Sequence, residues 1–123
     1  MRAFDENIIE ALNEHCGSDD VDFVGLGKYD FQLSFGYLRL QGFHKVGFSI
    51  GGKYDVWEEG PSEIPVWKLA GQIPVRFKQL DLLTLKLEFE TGDYIEFHSD
   101  EGPYEAVLIE IAGKGDADFL EVY

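Results

Sequence analysis

The side chains of this chain that could form or break bonds are one cysteine, three histidines and 24 carboxylates. Cys16 directly follows His15, but neighbours in a helix point about 100° apart, so this adjacency does not pair a nucleophile with its base. Cys16 also falls on the apolar side of a predicted helix, where a free cysteine is usually a buried structural thiol. We therefore predict no thiol chemistry at Cys16.

Metal-ligand spacing is also missing from the chain. The run His98-Ser99-Asp100-Glu101 contains three ligand types, but structural metal sites use separated pairs of ligands, and no second pair accompanies this run. The sequence also lacks a dinucleotide-binding glycine motif, a phosphate loop, a nucleophile elbow and a His-Glu-x-x-His motif. We predict no metal and no cofactor.

Paired carboxylates are the remaining route to catalysis. Three pairs are close in sequence: Glu58 with Glu59, Glu88 with Glu90, and Asp100 with Glu101. Acid–base catalysis needs two acids buried together with shifted pKa values, and in so acidic a chain these pairs are better interpreted as solvated. We predict that the protein is not an enzyme and keep a carboxylate-based enzyme as the less favoured alternative.

The charge balance is the strongest global feature. Twenty-four acids against ten bases give a formal net charge of −14, and between Glu88 and Tyr123 the acids face a single base, Lys114. Such a field repels nucleic acid and anionic lipid and attracts basic proteins. The excess fits either a solubilising surface or a basic protein partner. We predict partner contacts at five acids: Asp93, Glu96, Asp100, Glu101 and Glu105.

The compartment follows from what the sequence lacks. No segment approaches the roughly 20 apolar residues that a membrane helix needs. The first residues, M-R-A-F-D-E-N, show no basic leader followed by an apolar run, and the single cysteine cannot form an internal disulfide. We expect a cytoplasmic protein without nucleic-acid or membrane contacts.

The elements that would position these side chains are mainly strands. In the most regular stretch, Leu82 to His98, apolar residues alternate with charged and polar ones on either side of Gly92. Side chains in a strand point to opposite faces with a period of two, so this stretch predicts a hairpin with one face in a core. One helix precedes the strands, capped by Asp5, with an apolar stripe: Phe4, Ile8, Ile9, Leu12 and Cys16.

The chain as a whole, residues 1–123, fits a single domain. We divide it into a helix (1–17), a first β half (21–57), a linker with a short helical turn (58–70) and a second β half (71–123). Pro61 and Pro65 take the linker out of the sheets, because proline cannot donate to a ladder. We expect Trp67 and Leu69 of the helical turn to fill the space between the halves.

The two halves share an order of glycine, short strand, alternating strand, turn and return strand. Phe31-Leu33-Phe35 in the first half corresponds to Leu85-Leu87-Phe89 in the second. The predicted fold class is therefore mainly β (α+β), an antiparallel sandwich or partly open barrel of two similar halves with one N-terminal helix. Pro74 and the short last strand indicate an exposed edge, which could pair in a homodimer.

One series of motifs in the chain carries a resemblance to a protein family. The stretch from Leu69 to Ile73, the strand from Leu83 to Phe89 with Gly92 after it, and the triplet Tyr104-Glu105-Ala106 follow one another. This order resembles a family of small, acidic, uncharacterised bacterial β proteins of the immunity-protein type. The last residues, Gly115 to Phe119, depart from the family's pattern. The resemblance implies binding of a partner, and it carries over no catalytic residue.

The charge excess and the resemblance favour one function. We expect a non-catalytic acidic binding protein, of the kind that serves as an immunity protein and neutralises a basic bacterial toxin. The alternative is a β module that binds a small ligand or peptide in an aromatic cleft near Trp57, Trp67 and Tyr104.

Overall fold

The computed structural model describes residues 4–99, 106–112 and 118–122, and within these ranges the chain forms ten strands and one α-helix. In chain order the elements are α1 (Glu6–Asn13), β1 (Val21–Leu26), β2 (Phe31–Phe35), β3 (Leu38–Gly42), β4 (Lys45–Ile50), β5 (Lys53–Trp57), a 3₁₀ turn (Val66–Leu69), β6 (Pro74–Asp81), β7 (Thr84–Phe89), β8 (Tyr94–His98), β9 (Val107–Ala112) and β10 (Asp118–Val122). The sequence also predicts a polar loop over 99–103 and a turn over 113–116. Residues 100–103 and the whole of that turn lie outside the described residues.

The strands form two five-stranded antiparallel sheets without a closed barrel, which confirms the predicted mainly β class. Sheet I has the order β1-β2-β3-β9-β10, and sheet II has the order β5-β4-β8-β7-β6. The two sheets pack through aromatic rings. Phe31 of sheet I meets Phe48 of sheet II edge to face at 4.9 Å between ring centroids, and Phe97 lies 6.1 Å from Phe31. Such pairs add to the stabilisation that burial alone provides.

Each sheet combines strands from both halves of the chain. The meander β1–β3 is completed by the hairpin β9–β10, and the meander β6–β8 is completed by the hairpin β4–β5. Leu40 pairs with Ile109 at one join, and Val46 pairs with Phe97 at the other. The two halves therefore interlock, and neither sheet is complete without both.

Alternation along the strands produces the core. Leu85, Leu87 and Phe89 of β7 are buried, as are Ile95 and Phe97 of β8, while the residues between them face outward. Burying each of these side chains stabilises the fold by about 1.5–3 kcal/mol. The hairpin predicted between Leu82 and His98 is thus present with its apolar face in the core.

Helix α1 begins at the predicted cap. The Ile8 N–H donates to Asp5 Oδ1 at 3.0 Å, and Ile8, Leu12 and the preceding Phe4 are buried. The helix ends at Asn13, whose side-chain amide bonds to the backbone of Phe77 in β6. β6 is an edge strand, as Pro74 predicted, but the helix occupies part of that edge.

Two details of the predicted packing are wrong. Trp67 does not fill the space between the halves, because it is 64 % exposed, whereas Leu69 is fully buried. In a 3₁₀ turn residues three apart share a side, so Val66 and Leu69 face inward together and Trp67 faces out. From its alternation, the sequence between Val21 and Leu26 also predicts that Val21, Phe23 and Gly25 share one face of a strand. This is wrong, because a bulge between Val21 and Phe23 leaves Phe23 exposed.

Candidate binding surfaces

Asp93, the first of the predicted contact residues, ties three parts of sheet II together. It precedes β8, and its carboxylate accepts hydrogen bonds from the Gly51 N–H and from Gln72 Nε2, each at 3.0 Å. The Gly51 bond reaches the β4–β5 turn, and the Gln72 bond reaches the segment before β6. The side chain is half-buried. Its position therefore links neighbouring turns at one end of the sheet.

Glu96, the second, lies in the middle of the outward face of sheet II. Its side chain is 15 % exposed and accepts a hydrogen bond from the Tyr54 hydroxyl at 2.7 Å. Gly47, on the strand between them, makes this bond possible, because a Cβ there would collide with the Tyr54 hydroxyl. Burial and the bond to Glu96 both raise the pKa of Tyr54. The Glu96 carboxylate is thus held by a neighbour in the same sheet.

The other three predicted contact residues, Asp100, Glu101 and Glu105, lie outside the described residues, as does Tyr104. The structure therefore places Asp93 and Glu96 alone. The two are not brought together as a pair, because Glu96 points outward from β8 while Asp93 bonds to turns at the end of that strand. Their role in partner binding stays a prediction.

The outward face of sheet II carries cations as well as acids. Arg76 lies 2.8 Å, Lys86 3.7 Å and Lys78 3.9 Å from the Glu88 carboxylate. Lys86 also stands over the ring of Tyr94, 4.2 Å from its centroid. The acids of this face are therefore matched by bases, and a basic partner gains little long-range attraction from it.

The carboxyl groups of Glu88 and Asp81 have shifted pKa values, and the direction of each shift indicates which chemistry the group can perform. Burial raises the pKa of Glu88, but the Arg76 guanidinium and the nearby lysines outweigh it and hold the pKa low. A hydrogen bond from the Leu83 backbone N–H lowers the pKa of Asp81. In the part of the chain that the structure describes, the carboxyl groups with a shifted pKa are thus ionised at neutral pH, which does not suit a general acid.

His98 lies beside Glu96 on β8. Thr84 Oγ1 is 3.3 Å from His98 Nδ1, and Glu96 Oε1 is 3.7 Å from His98 Nε2. Burial, and the charge of Lys45 on the neighbouring strand, lower the pKa of His98. Among the described residues no three metal-ligating side chains come together. The neutral imidazole is therefore a packed member of this face.

Cys16 is half-buried against the core, with its Sγ 3.9 Å from the carbonyl oxygen of Leu12. Burial raises the pKa of the thiol to about 11. The thiolate, which is the nucleophilic form, is therefore scarce at neutral pH.

A further acidic surface, separate from the acids of sheet II, lies at the start of the chain. From residue 4 to residue 27 the sequence contains no Lys or Arg, and its seven carboxylates are all exposed: Asp5, Glu6, Glu10, Glu14, Asp19, Asp20 and Asp22. We call this stretch the N-terminal acidic segment. Sequence reasoning concentrated on the excess after Glu88 and missed it, although the absence of bases over these residues was a sufficient signal.

Two grooves flank the linker between β5 and β6. The first has a volume of about 620 Å³ and is lined by Leu26, Pro61, Ile64, Val66 and Trp67. Trp67 lines this groove and Trp57 does not, while Tyr104 lies outside the described residues, so the aromatic cleft near these three residues stays a prediction. Trp57 itself is 2 % exposed, because its indole N–H donates to the Gly60 carbonyl at 2.9 Å and its ring packs in the core.

The second groove, of about 440 Å³, lies between β5 and the linker. Phe48, Ile50 and Ile64 give it an apolar wall, and Asp55 and Glu63 bring two carboxylates to it against one base, Lys53. It lies beside an edge strand of sheet II. The combination of an apolar wall with two acids suits a long basic side chain, whose stem is aliphatic and whose head is charged.

Comparison of the chain with protein-family models, with curated proteins and with solved structures finds no match. Within residues 4–99, 106–112 and 118–122, no helix has the length and apolar character needed to cross a membrane. The candidate surfaces must therefore be interpreted from their own residues.

Proposed function

We propose that this protein is a non-catalytic binding protein that takes up a basic protein partner, in the manner of an immunity protein that neutralises a basic toxin. The observation that carries the proposal is the N-terminal acidic segment, in which seven exposed carboxylates stand without a Lys or Arg. A cytoplasmic location agrees with the single cysteine and with the partner chemistry.

The helix supplies the most regular part of this surface. Glu6, Glu10 and Glu14 follow one another at intervals of four residues, so they lie along one side of α1 and are all exposed. Buried Ile8 and Leu12 hold the opposite side of the helix to the core. Because Ile8 and Leu12 anchor the helix to the core, the three acids stay on its outer side, and such a cluster of like charges attracts a complementary basic surface.

Charge attraction of this kind acts mainly on the rate of encounter. Complementary potentials raise association rates by orders of magnitude at low salt and lose their effect as salt screens them. The five residues predicted from the sequence, Asp93, Glu96, Asp100, Glu101 and Glu105, remain candidates for further contacts with the partner.

Co-expression with the protein encoded by the adjacent gene tests the proposal. The partner carries the affinity tag, and the present chain is sought in the eluate at low salt. Recovery of a one-to-one complex supports the proposal, provided that it weakens in the triple variant E6Q/E10Q/E14Q. The variant K78Q, which makes the mixed face of sheet II more acidic by one charge, is the control and should not weaken binding. Absence of a complex at low salt rejects this partner.

The groove beside Trp67 favours a second candidate, a β module that binds an apolar ligand or peptide. Its lining is mostly apolar, and Trp67 is 64 % exposed at its rim. Titration with the dye anilinonaphthalene sulfonate, followed by tryptophan fluorescence, tests it. Saturable quenching that L26S, a change in the groove lining that keeps Trp67, weakens would favour this candidate, and the absence of saturation would eliminate it. The chain's other tryptophan, Trp57, is buried and serves as the internal control.

A further inference from the structure

Strand β5 is an edge of sheet II, with β4 as its neighbour in the sheet. Other edges of the two sheets are partly occupied. The opposite edge of sheet II, β6, is hydrogen-bonded to the helix segment. The edge strand β1 of sheet I is hydrogen-bonded at Val21 to Gly71 and Gln72. In β5 four of the five residues have a side chain that is exposed or half-buried. An exposed edge of this kind is a template for another extended chain.

The hairpin geometry shows which backbone groups face outward. Ile50 and Lys53 close a two-residue turn in which Gly51 and Gly52 have φ of +62° and +84°, the values of a type I′ turn. The closing pair of such a turn exchanges both hydrogen bonds, and the pattern then alternates along the strand. The N–H and C=O groups of Tyr54 and Val56 therefore point away from β4, towards the position that a further strand would occupy.

The second groove lies on the core side of this edge. Asp55 pairs with Phe48 and Lys53 pairs with Ile50, so the side chains of Asp55 and Lys53 lean to the inner face. The Asp55 carboxylate is 36 % exposed, and its ion pair with Lys53, at 3.8 Å, is loose. A side chain from an added strand would enter the groove between Asp55 and Glu63.

We propose that β5 binds an extended basic segment of the partner as an additional strand of sheet II, with one Lys or Arg side chain in the groove beside Asp55 and Glu63. This inference rests on the proposed function and names the place and the mode of binding. Backbone bonds to Tyr54 and Val56 supply affinity, and the groove selects the basic side chain. Glu58 and Glu59, both exposed directly after β5, continue the acidic character of the edge.

A second copy of this chain is a poorer occupant of the edge. The copy would bring a net charge of −14 against the same charge. Its β10 edge, Asp118–Val122, contains two acids and no base, and its β6 edge, which carries Arg76 and Lys78, is bonded by Asn13 of the helix. Like charges in register across a strand pair are destabilising. A dimer that forms through β5 is an outcome that would contradict the inference.

The experiment uses the full chain and a peptide probe, Lys-Val-Lys-Thr-Lys-Val-Lys, acetylated and amidated at its ends and carrying a fluorophore. Anisotropy gives the dissociation constant at low salt. We expect the basic peptide to bind saturably. A control peptide with Glu in place of every Lys should bind at least tenfold more weakly. A second control, the basic peptide N-methylated at alternate residues along one edge, should also bind at least tenfold more weakly. N-methylation removes backbone N–H donors from the peptide and leaves the peptide's charge unchanged.

Variants of the protein locate the peptide. V56P removes the outward N–H and should weaken binding at least tenfold, while thermal unfolding shows that the edge tolerates the proline. D55N and E63Q should each weaken binding by about two- to fivefold, and K53Q should strengthen it by a similar factor. The variant E90Q removes one exposed carboxylate after β7, which β4 and β8 separate from β5, and is the control. It should leave the peptide's affinity within about twofold at physiological salt.

The outcomes separate this inference from the proposed function. If the N-methylated and unmodified peptides bind alike, or if V56P binds the adjacent-gene protein as tightly as the wild type does, the strand-addition mode is wrong although a basic partner still binds. If the wild type binds neither the basic peptide nor that protein, the proposed function fails as well. A chain that elutes as a dimer, which V56P converts to a monomer, would show that the edge serves self-association.

Discussion

The side-chain amide of Asn13 bonds to both backbone groups of Phe77. The Phe77 N–H donates to Asn13 Oδ1 at 2.6 Å, and Asn13 Nδ2 donates to the Phe77 carbonyl at 3.2 Å. Asn13 is the last residue of α1, and Phe77 lies in the edge strand β6. One helical side chain thus does what a residue of a neighbouring strand would do, and it closes the edge of sheet II that lies opposite β5.

Replacing Asn13 tests this arrangement. In N13A two buried or half-buried backbone groups of Phe77 lose their partners, so we expect the free energy of unfolding to fall by about 1–3 kcal/mol. N7A, at an exposed position of the same helix, is the control and should change stability by less than about 0.5 kcal/mol. Urea unfolding measures both. Equal stabilities of N13A and N7A would show that water satisfies the edge equally well.

A second prediction concerns the join between the two halves. A Cβ at Gly42 would lie 2.7 Å from Val46 Cγ2 and 3.3 Å from the ring of Phe97. G42A should therefore lower the free energy of unfolding by about 1–3 kcal/mol through overpacking. In the double variant G42A/V46A the obstructing methyl group is gone, so the loss should be about 1 kcal/mol smaller than the sum of the single losses. Additive losses would show that Val46 and Gly42 are not in contact.

The bond between Tyr54 and Glu96 gives a spectroscopic prediction. Burial and the Glu96 carboxylate raise the pKa of Tyr54, so one of the six tyrosines should ionise at higher pH than expected for an exposed phenol. Ultraviolet titration of the phenolate follows this directly. Y54F should lack that late step, and E96Q should move it towards lower pH. An identical titration curve in Y54F would contradict the packing of the hydroxyl over Gly47.

His98 predicts how stability depends on pH. Burial and Lys45 lower its pKa, opposed by the charges of Glu96 and Asp81, so the folded state favours the neutral ring. The unfolded imidazole binds protons more readily, and unfolding therefore becomes easier as pH falls below about 6.5 and through the lowered folded value. In H98Q this part of the decline should disappear. Unfolding free energies measured between about pH 7.5 and pH 5.5, where carboxylates stay ionised, give the comparison. A decline of the same size in H98Q would assign it to other groups.

The local features of this fold follow from the sequence because they depend on neighbouring residues. Alternation at Leu85, Leu87 and Phe89 specifies a half-buried strand, Gly51 with Gly52 specifies a tight hairpin, and Asp5 specifies a helix start. Each is determined by a backbone or side-chain preference that acts over a few residues. All three are present in the structure.

The arrangement of the strands was beyond sequence reasoning. Two similar halves could be recognised, but the joins of β3 with β9 and of β8 with β4 link residues far apart in the chain. No turn or spacing specifies which edges meet, because such pairing depends on how whole sheets cover one another. The exposure of Trp67 has the same origin, since the 3₁₀ turn is oriented by Val66 and Leu69.

The candidate surfaces were predicted in part. The charge balance predicts a basic partner, which stays a prediction, but attention to the acids after Glu88 overlooked the earlier segment that holds Glu6, Glu10 and Glu14. The internal bonds of Asp93 and Glu96 could not be foreseen, because Gly51 and Tyr54 reach them only through the pairing of β4 with β8 and β5. The β5 edge likewise required the strand order.

The most direct measurement of the central claim is the rate at which the labelled protein associates with the adjacent-gene protein at increasing salt, followed by stopped flow. Steering by the acidic surface predicts an association rate that falls at least tenfold between low and physiological salt, and that is at least threefold lower in E6Q/E10Q/E14Q at low salt. Association that is absent, or whose rate does not change with salt, would contradict the account.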